Sequence, residues 1–163
     1  MRRPALAAIP LAILLVALAG PAAARRDAAP TRLEGVVVRV VDGDTVHVRV
    51  GERVEKVRYI GVNAPEVHYP ERGEEPGGRE AAEVNRTLVE GKRVRLELDV
   101  QERDRHRRLL AYVWVGGVMV NAELVRRGYA QVMTVPPNVR YQDLFLRLQR
   151  DAREAGRGLW KRA

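Results

Sequence analysis

Alternation of hydrophobic and polar residues predicts five short strands along this chain. In the segment 45–50 every second residue is valine, and weaker alternation of the same kind recurs on either side. A period of two places successive side chains on opposite faces, so each segment has the pattern of a half-buried strand. The valine-rich first strand is expected to be buried on both faces over part of its length. The predicted strands cover residues 33–41, 45–50, 54–60, 92–100 and 109–115.

Apolar residues spaced by three and four positions predict three helices. The first covers residues 79–90, the second runs from a capping Asn121 to Gly128, and the third follows a capping Asn138 and ends near Gly156. Asparagine is a favoured residue at the start of a helix, and glycine commonly follows its end. Five strands with one helix between the third and fourth match an α+β, mainly β, five-stranded OB-fold barrel with three helices.

The N-terminal segment has the pattern of an export signal. Arg2 and Arg3 precede an apolar run over residues 5–20, and small residues at 21–24 follow it. We therefore predict a cleaved signal peptide at 1–24, a flexible lead at 25–32 and one domain at 33–163. The apolar run has 16 residues, fewer than the roughly 20 that a membrane-spanning helix needs. An uncleaved N-terminal membrane anchor is the alternative to secretion or export to the periplasm.

Charge and cysteine content narrow the possible functions. The formal net charge is +8 and cysteine is absent. A basic exported protein favours anionic partners, which include nucleic acid, anionic lipid and acidic polysaccharide. Without cysteine, the chain can have no disulfide framework, thiolate chemistry or cysteine-based zinc site.

The first three strands predict an antiparallel meander, and polar residues cluster at two turns, one after its first strand and one after its third. Asp42 and Asp44 follow the first strand, whereas Asn63 and Glu66 follow the third strand, which carries Arg58. Oxygen ligands of this kind bind Ca²⁺, and an arginine pairs with phosphate through two parallel hydrogen bonds. If the two turns meet in space, they form a site for a hard cation and a phosphate.

Hydrolysis of a phosphodiester would use these residue types. Attack by water builds negative charge on the non-bridging oxygens, so such a site needs fixed cations and a base or a metal. Glu66 is the candidate to orient or deprotonate the water. The basic segment 101–108 offers a second arginine. Arg108 is the best placed because it directly precedes the fifth strand, and Arg107 is the alternative if the register shifts by one.

Six short motifs follow one another along the chain. They are VDGDT at 41–45, VRYIGVNAPE at 57–66, GREAA at 78–82, DRHRRLLAYV at 104–113, VNAELVRRGYA at 120–130 and GRGLW at 156–160. Each motif is weak alone, but the ordered set spans residues 41–160. In this order and spacing, the set resembles the thermonuclease family, the secreted Ca²⁺-dependent nucleases typified by staphylococcal nuclease.

The resemblance implies an OB-fold enzyme that cleaves DNA and RNA to 3′-phosphate products. By position, Asp44 matches the principal Ca²⁺ carboxylate and Asp42 an acid that acts on the ion through water. Ala64 matches a backbone carbonyl ligand. Asn63 occupies the position of a second Ca²⁺ carboxylate in the best-known member, so this chain has one ligand charge fewer.

The resemblance also assigns the catalytic residues. Glu66 matches the acid that orients or activates the attacking water, and Arg58 and Arg108 match two arginines that bind the phosphate. We expect a monomer that acts on DNA and RNA, with single strands favoured. The alternative is a catalytically degenerate OB-fold module that binds nucleic acid. The intact catalytic trio favours the enzyme, and Asn63 is the one feature that favours the module.

The chain also departs from the family pattern where the substrate packs. His106 replaces an aromatic residue beside the nucleotide, and Thr134 and Pro136 fall where the best-known member has tyrosines. Tyr141 and Tyr69 are candidates to replace the missing stacking rings.

Overall fold

The structure is a computed structural model that describes residues 30–68 and 73–161. The predicted signal peptide, most of the predicted lead and Tyr69 lie outside these residues. Within the described part of the chain, no helix has both the length and the apolar character needed to cross a membrane.

Five strands form the body of the fold, close to the predicted positions. Three further two-residue strands were not predicted, because so short a segment has no period to detect. In chain order the strands are β1 Arg32–Val40, β2 Thr45–Val50, β3 Arg53–Tyr59, β4 Val62–Asn63, β5 Arg93–Glu97, β6 Leu109–Val115, β7 Val118–Met119 and β8 Gln131–Val132.

The strands close into a barrel. β1, β2 and β3 form the predicted antiparallel meander, and β5 pairs with both β1 and β6 in antiparallel fashion. Parallel pairing of β3 with β6 closes the sheet on itself, with Arg58 opposite Leu110. This order confirms the predicted OB-fold barrel. It also brings the end of β3 next to the start of β6, which is where the two predicted arginines lie.

Three helices cover the barrel, as predicted. They are α1 Gly78–Val89, α2 Val120–Arg126 and α3 Gln142–Glu154, and a 3₁₀ turn follows at Gly158–Trp160. Ala81 and Val89 of α1, Leu124 of α2 and Phe145 of α3 are buried in the same core as the inward-facing strand residues. Burial of these apolar side chains holds the helices on the barrel. Each of the larger ones contributes about 1.5–3 kcal/mol of burial free energy.

The prediction that β1 is buried on both faces is wrong. Val37 and Val40 are 1% and 7% exposed, but Val36 and Val38 are 37% and 39% exposed. A β-bulge between residues 37 and 39 shifts the register on β2. The outward face of β1 therefore meets solvent, and its valines satisfy strand geometry rather than a second core.

The two predicted asparagine caps are also wrong. α2 begins at Val120, and the Asn121 side chain, inside the helix, accepts from the Val113 N–H and donates to the Ile60 carbonyl. α3 begins at Gln142, four residues after Asn138. The buried Asn138 side chain instead bonds the backbone N–H and carbonyl of Gln101. Both asparagines bond backbone groups of other segments, and this outweighs a local cap.

Candidate active site

The acidic turn lies between β1 and β2 and is largely buried. Asp42 and Asp44 are 8% and 2% exposed. The Asp42 carboxylate accepts a hydrogen bond of 3.0 Å from the Asp44 N–H, which sets the shape of the turn. A side chain at Gly43 would overlap Ala64 and approach the Ala81 Cβ to 2.9 Å. Only glycine lets this turn pack so closely against α1 and the segment after β4.

The two predicted turns do meet. The Ala64 N–H donates a 2.6 Å hydrogen bond to Asp44 Oδ2, and Arg58 Nη2 lies 3.0 Å from the same oxygen. Arg58 Nη2 also donates to Asn63 Oδ1 at 2.9 Å. The structure thus brings Asp44, Arg58, Asn63 and Ala64 together, as the sequence predicts.

Arg58 is held rigidly for an arginine. Its side chain is 9% exposed, and Nη1 donates to the carbonyls of Tyr59 and Val62 at 3.0 and 2.9 Å. A buried guanidinium with this many partners has few rotamers left, so a phosphate that binds it loses little further side-chain entropy.

Glu66 lies just beyond β4 and is half-buried. Two hydrogen bonds join it to Glu75. The Glu66 N–H donates to a Glu75 carboxylate oxygen at 3.0 Å, and the Glu66 carbonyl accepts from the Glu75 N–H at 2.9 Å. Burial raises the pKa of Glu66, with a further rise from Asp42, while Arg58 and Arg108 oppose the change.

Arg108 directly precedes β6 and is tethered by Asp104. Asp104 Oδ2 accepts a 2.7 Å hydrogen bond from Arg108 Nε, and the other carboxylate oxygen accepts the Arg108 N–H at 2.9 Å. Arg107 is exposed and has a φ of 63°. Of the two candidates, only Arg108 lines the same cleft as Arg58.

This cleft has a volume of about 180 Å³ and joins charged groups to an apolar wall. Arg58, Arg108 and Asp104 lie on the charged side, and Leu110, Met133 and Val135 contribute the wall. Met133 and Val135 are 43% and 56% exposed, which is high for apolar side chains and leaves their surface open to a ligand.

Neither the residues at the family's stacking positions nor the candidate replacement Tyr141 lines the cleft. Thr134 and Pro136 alternate with the lining residues Met133 and Val135, and His106 lies on the exposed loop before Arg108. Tyr141 packs edge-to-face on Tyr112, with ring centroids 4.6 Å apart, and donates to Glu97. Tyr141 is therefore a packing residue, and the described part of the cleft wall is aliphatic.

The donor set at the acidic turn fits a hard divalent cation. Asp42 and Asp44 supply two carboxylates. The Asn63 amide oxygen accepts a hydrogen bond from Arg58 Nη2, which also contacts Asp44. The backbone carbonyl of Ala64 is the fourth candidate ligand. Calcium takes oxygen ligands of these kinds. Among the described residues, no cluster of three or more His, Cys, Asp or Glu is placed to hold a metal, in keeping with an amide at position 63.

The charge state of Asp44 supports this fit. Burial raises the pKa of Asp44, Arg58 opposes the rise and the nearby Asp42 adds to it, so that the pKa is about 7. The positive charge of one arginine thus does not compensate the negative charge of two buried carboxylates. A bound cation would offset the remaining desolvation cost.

This pKa predicts an unusual pH dependence for the metal-free protein. The folded state holds a proton on Asp44 up to about pH 7, whereas the unfolded chain releases it near pH 4. The stabilisation that comes from this proton is therefore fully present below pH 4. It is lost as the pH rises toward 7, and the free energy of unfolding falls by on the order of 2–4 kcal/mol. Urea unfolding in chelator at pH 5 and pH 8 measures the loss.

The matched variant for this test is Asp44→Asn, which cannot titrate at this position. We expect it to lack this component of the pH dependence and to be more stable than the wild type at pH 8 in chelator. An identical pH dependence in the two proteins would contradict the raised pKa of Asp44.

Two elements of the site escaped the sequence analysis. Asp104, which orients Arg108, has a local signal in its spacing of four residues before that arginine. Asn85 has none: its side chain accepts from the Tyr59 hydroxyl and donates to the Asp42 carbonyl, each at 2.9 Å. It thereby links α1 to the acidic turn across 43 residues of sequence.

OB-fold barrels commonly bind oligonucleotides, and this barrel has two arginines in one cleft, one of them paired with the buried carboxylate of Asp44. Fixed cations of this kind can stabilise the charge of a phosphate ester. Comparison with protein families agrees: residues 56–162 match the model described as staphylococcal nuclease homologue. The chain belongs to the staphylococcal nuclease family and is a nuclease, a hydrolase of phosphodiester bonds.

Individual relatives support this assignment. The chain is 38% identical over 124 residues to a thermonuclease of Staphylococcus hyicus, covering 76% of this chain and 73% of that protein. It is 37% identical over 127 residues to a thermonuclease of Staphylococcus intermedius, covering 78% and 76%. It is also 35% identical over 127 residues to endonuclease YncB of Bacillus subtilis, covering 77% and 60%.

Proposed function

We propose that this protein is an exported, Ca²⁺-dependent nuclease that hydrolyses DNA and RNA to 3′-phosphate products. The observation that carries the proposal is the contact of Arg58 with Asp44 of the acidic turn, beside a cleft that Arg108 also lines. Export rests on the sequence of residues 1–24 alone. A monomer that prefers single strands is part of the proposal.

Asp44, Asn63 and the Ala64 carbonyl would hold the cation, with Asp42 acting through water. A bound divalent cation supplies Lewis-acid polarisation of the phosphoryl oxygen and lowers the pKa of water nearby. The 3.0 Å contact between Arg58 and Asp44 supports a phosphate site beside this cation. Arg58 would therefore bind a phosphate oxygen adjacent to the cation.

Glu66 acts as the group that orients and deprotonates the attacking water. Its raised pKa brings its basicity closer to neutral pH, where a general base is most effective. The water oxygen bonds to phosphorus and the bond from phosphorus to the 5′ oxygen breaks. The products are a 3′-phosphate and a 5′-hydroxyl, and the leaving oxygen takes a proton from solvent.

Arg58 and Arg108 stabilise the charge that builds on the non-bridging oxygens. Arg58 is fixed by its buried contacts, and Asp104 orients Arg108 through its Nε. Donors fixed before the reaction need no reorganisation during it, which makes them effective in catalysis. The neighbouring aliphatic wall of Met133, Val135 and Leu110 offers apolar surface to the base without base-specific hydrogen bonds.

The test is cleavage of 5′-labelled single-stranded DNA and RNA of the same sequence by the purified protein with Ca²⁺, with product ends identified. We expect the protein to cut both the DNA and the RNA and to leave products with 3′-phosphates. Products with 5′-phosphates would contradict the assignment of the leaving oxygen. Salt-sensitive binding without cleavage under any divalent ion would instead identify a nucleic-acid-binding module.

Asn63→Asp tests the metal position. The substitution restores a third carboxylate beside Asp44 and Arg58, and we expect Ca²⁺ to bind on the order of tenfold more tightly, because ligand charge sets affinity at such sites. Calcium titration followed by calorimetry and by activity measures the change. An unchanged or weaker Ca²⁺ requirement would count against placing residue 63 at the ion.

A further inference from the structure

The outward face of the meander carries a row of basic side chains that the active site does not use. Arg39 of β1 is paired in register with His47 of β2, which in turn is paired with Lys56 of β3. Neighbouring strands lie about 4.8 Å apart, so this basic row spans about 10 Å. Arg39 and Lys56 are exposed and His47 is half-buried.

The basic row lies next to the active site. The next register pair on the same face of β2 and β3 is Thr45 with Arg58. Lys56 and Arg58 are two residues apart, which is about 6.7 Å along a strand and leaves both on the same face. A polynucleotide with a phosphate at Arg58 can therefore continue onto Lys56, His47 and Arg39.

Arg39 also lines a groove of about 790 Å³ between the end of β1 and α1. Val41 and Val67 line it as well, and they are the direct neighbours of Asp42 and Glu66 in sequence. His68 adds a further titratable side chain. The groove thus adjoins the acids of the active site, and it shares none of its lining residues with the cleft of Arg58 and Arg108.

The charge of the basic row is uncompensated among the described residues. Other arginines of the groove are paired: Arg79 lies 2.5 Å from Glu74, and Arg86 lies 2.5 Å from Glu83. Arg39 and Lys56 form no salt bridge within the described ranges 30–68 and 73–161. The pKa of His47 is lowered by its partial burial and then by Arg39 and Lys56, which reflects positive potential along the row.

We propose that the basic row and the adjoining groove bind the backbone phosphates of the single-stranded substrate beyond the scissile phosphate. This inference rests on the nuclease function proposed above. Lysine and arginine stems reach phosphates without reading bases, so the contact is independent of sequence and sensitive to salt. Val36, Val38 and Val54, all exposed, add aliphatic surface beside the cations.

The experiment compares two double variants by fluorescence anisotropy in chelator, where the proposed Ca²⁺ dependence prevents cleavage. The row variant, Arg39→Ala/Lys56→Ala, removes the two exposed cations of the basic row. Arg147→Ala/Arg150→Ala is the matched control, since both arginines are exposed on α3, which packs on α2 and β8. The probes are a labelled single-stranded DNA of about 20 nucleotides, long enough to exceed one OB-fold site, and a labelled dinucleotide.

We expect the row variant to bind the long strand about tenfold more weakly at low salt, with the slope of log affinity against log salt reduced by about 1.4, or 0.7 for each lost contact. Dinucleotide binding should stay at the wild-type level, because its single phosphate binds at Arg58 and Arg108. Equal affinities and slopes for the row variant and the control would overturn the proposal.

Cleavage in Ca²⁺ separates this proposal from the proposed function. In an active enzyme, kcat/KM should fall for the long strand and not for the dinucleotide in the row variant. A wild type that binds through the row and cleaves nothing would refute the nuclease function alone. A wild type that cleaves normally while the row variant matches the control would refute the row alone.

Discussion

Glu66→Gln is expected to lower kcat for single-stranded DNA by about 10²–10⁴-fold, the usual contribution of a general base. Glutamine has nearly the same shape and keeps the backbone hydrogen bonds that join residue 66 to Glu75. The substitution therefore removes the basic carboxylate and little else. Steady-state kinetics in saturating Ca²⁺ measures the effect, and circular dichroism and thermal unfolding establish that the variant is folded.

Glu75→Gln is the matched control for this measurement. It neutralises a carboxylate on the same loop, and its amide oxygen still accepts the Glu66 N–H. We expect this variant to retain most of the wild-type kcat. Near-wild-type turnover by folded Glu66→Gln would refute the role of Glu66, and equal losses in both variants would show that the charge of the loop matters rather than a base at residue 66.

Arg108→Ala is expected to reduce kcat by about 10²–10³-fold, as the loss of one charge-stabilising donor does in other enzymes. Pairing of β3 with β6 places Arg108 near Arg58, and Asp104 orients it. Because the interaction strengthens as charge builds on the phosphate oxygens, kcat and kcat/KM should fall together. A rise in KM with an unchanged kcat would show that Arg108 only binds the substrate.

Arg107→Gly separates the two neighbouring arginines. Arg107 has a φ of 63°, which glycine adopts without strain, so the substitution should preserve the loop. We expect this variant to keep the wild-type kcat because Arg107 does not line the cleft. A large loss in Arg107→Gly together with an active Arg108→Ala would place the second phosphate-binding arginine one residue earlier.

The sequence predicts those parts of the fold that depend on local periodicity. β6 has the predicted bounds, 109–115, because a long apolar run ends at a pair of glycines. The short pairing of β4 with β8 has no such signal, since Val62 and Val132 are 70 residues apart in the chain. Asn121 and Asn138 mislead for the same reason, because their partners lie 61 and 37 residues away.

The site was predictable where its residues fall on two adjacent turns. Asp44, Arg58 and Asn63 were expected to converge, and their hydrogen bonds show that they do. The sequence does not predict the aliphatic wall of Met133 and Val135. Neighbouring residues of an extended segment face opposite sides, and the sequence does not indicate which side of this segment lines the cleft. Asn85 was missed because it lies on the buried side of a helix and touches the turn through one distant hydrogen bond.

We propose that a divalent cation and these side chains hydrolyse phosphodiesters at a single site. The most direct test measures hydrolysis of single-stranded DNA by the wild type in Ca²⁺ and in excess chelator, with Glu66→Gln and Arg108→Ala alongside. We expect turnover that Ca²⁺ restores after chelation and that both variants largely lose. Turnover that persists in chelator, or that neither substitution lowers, would contradict it.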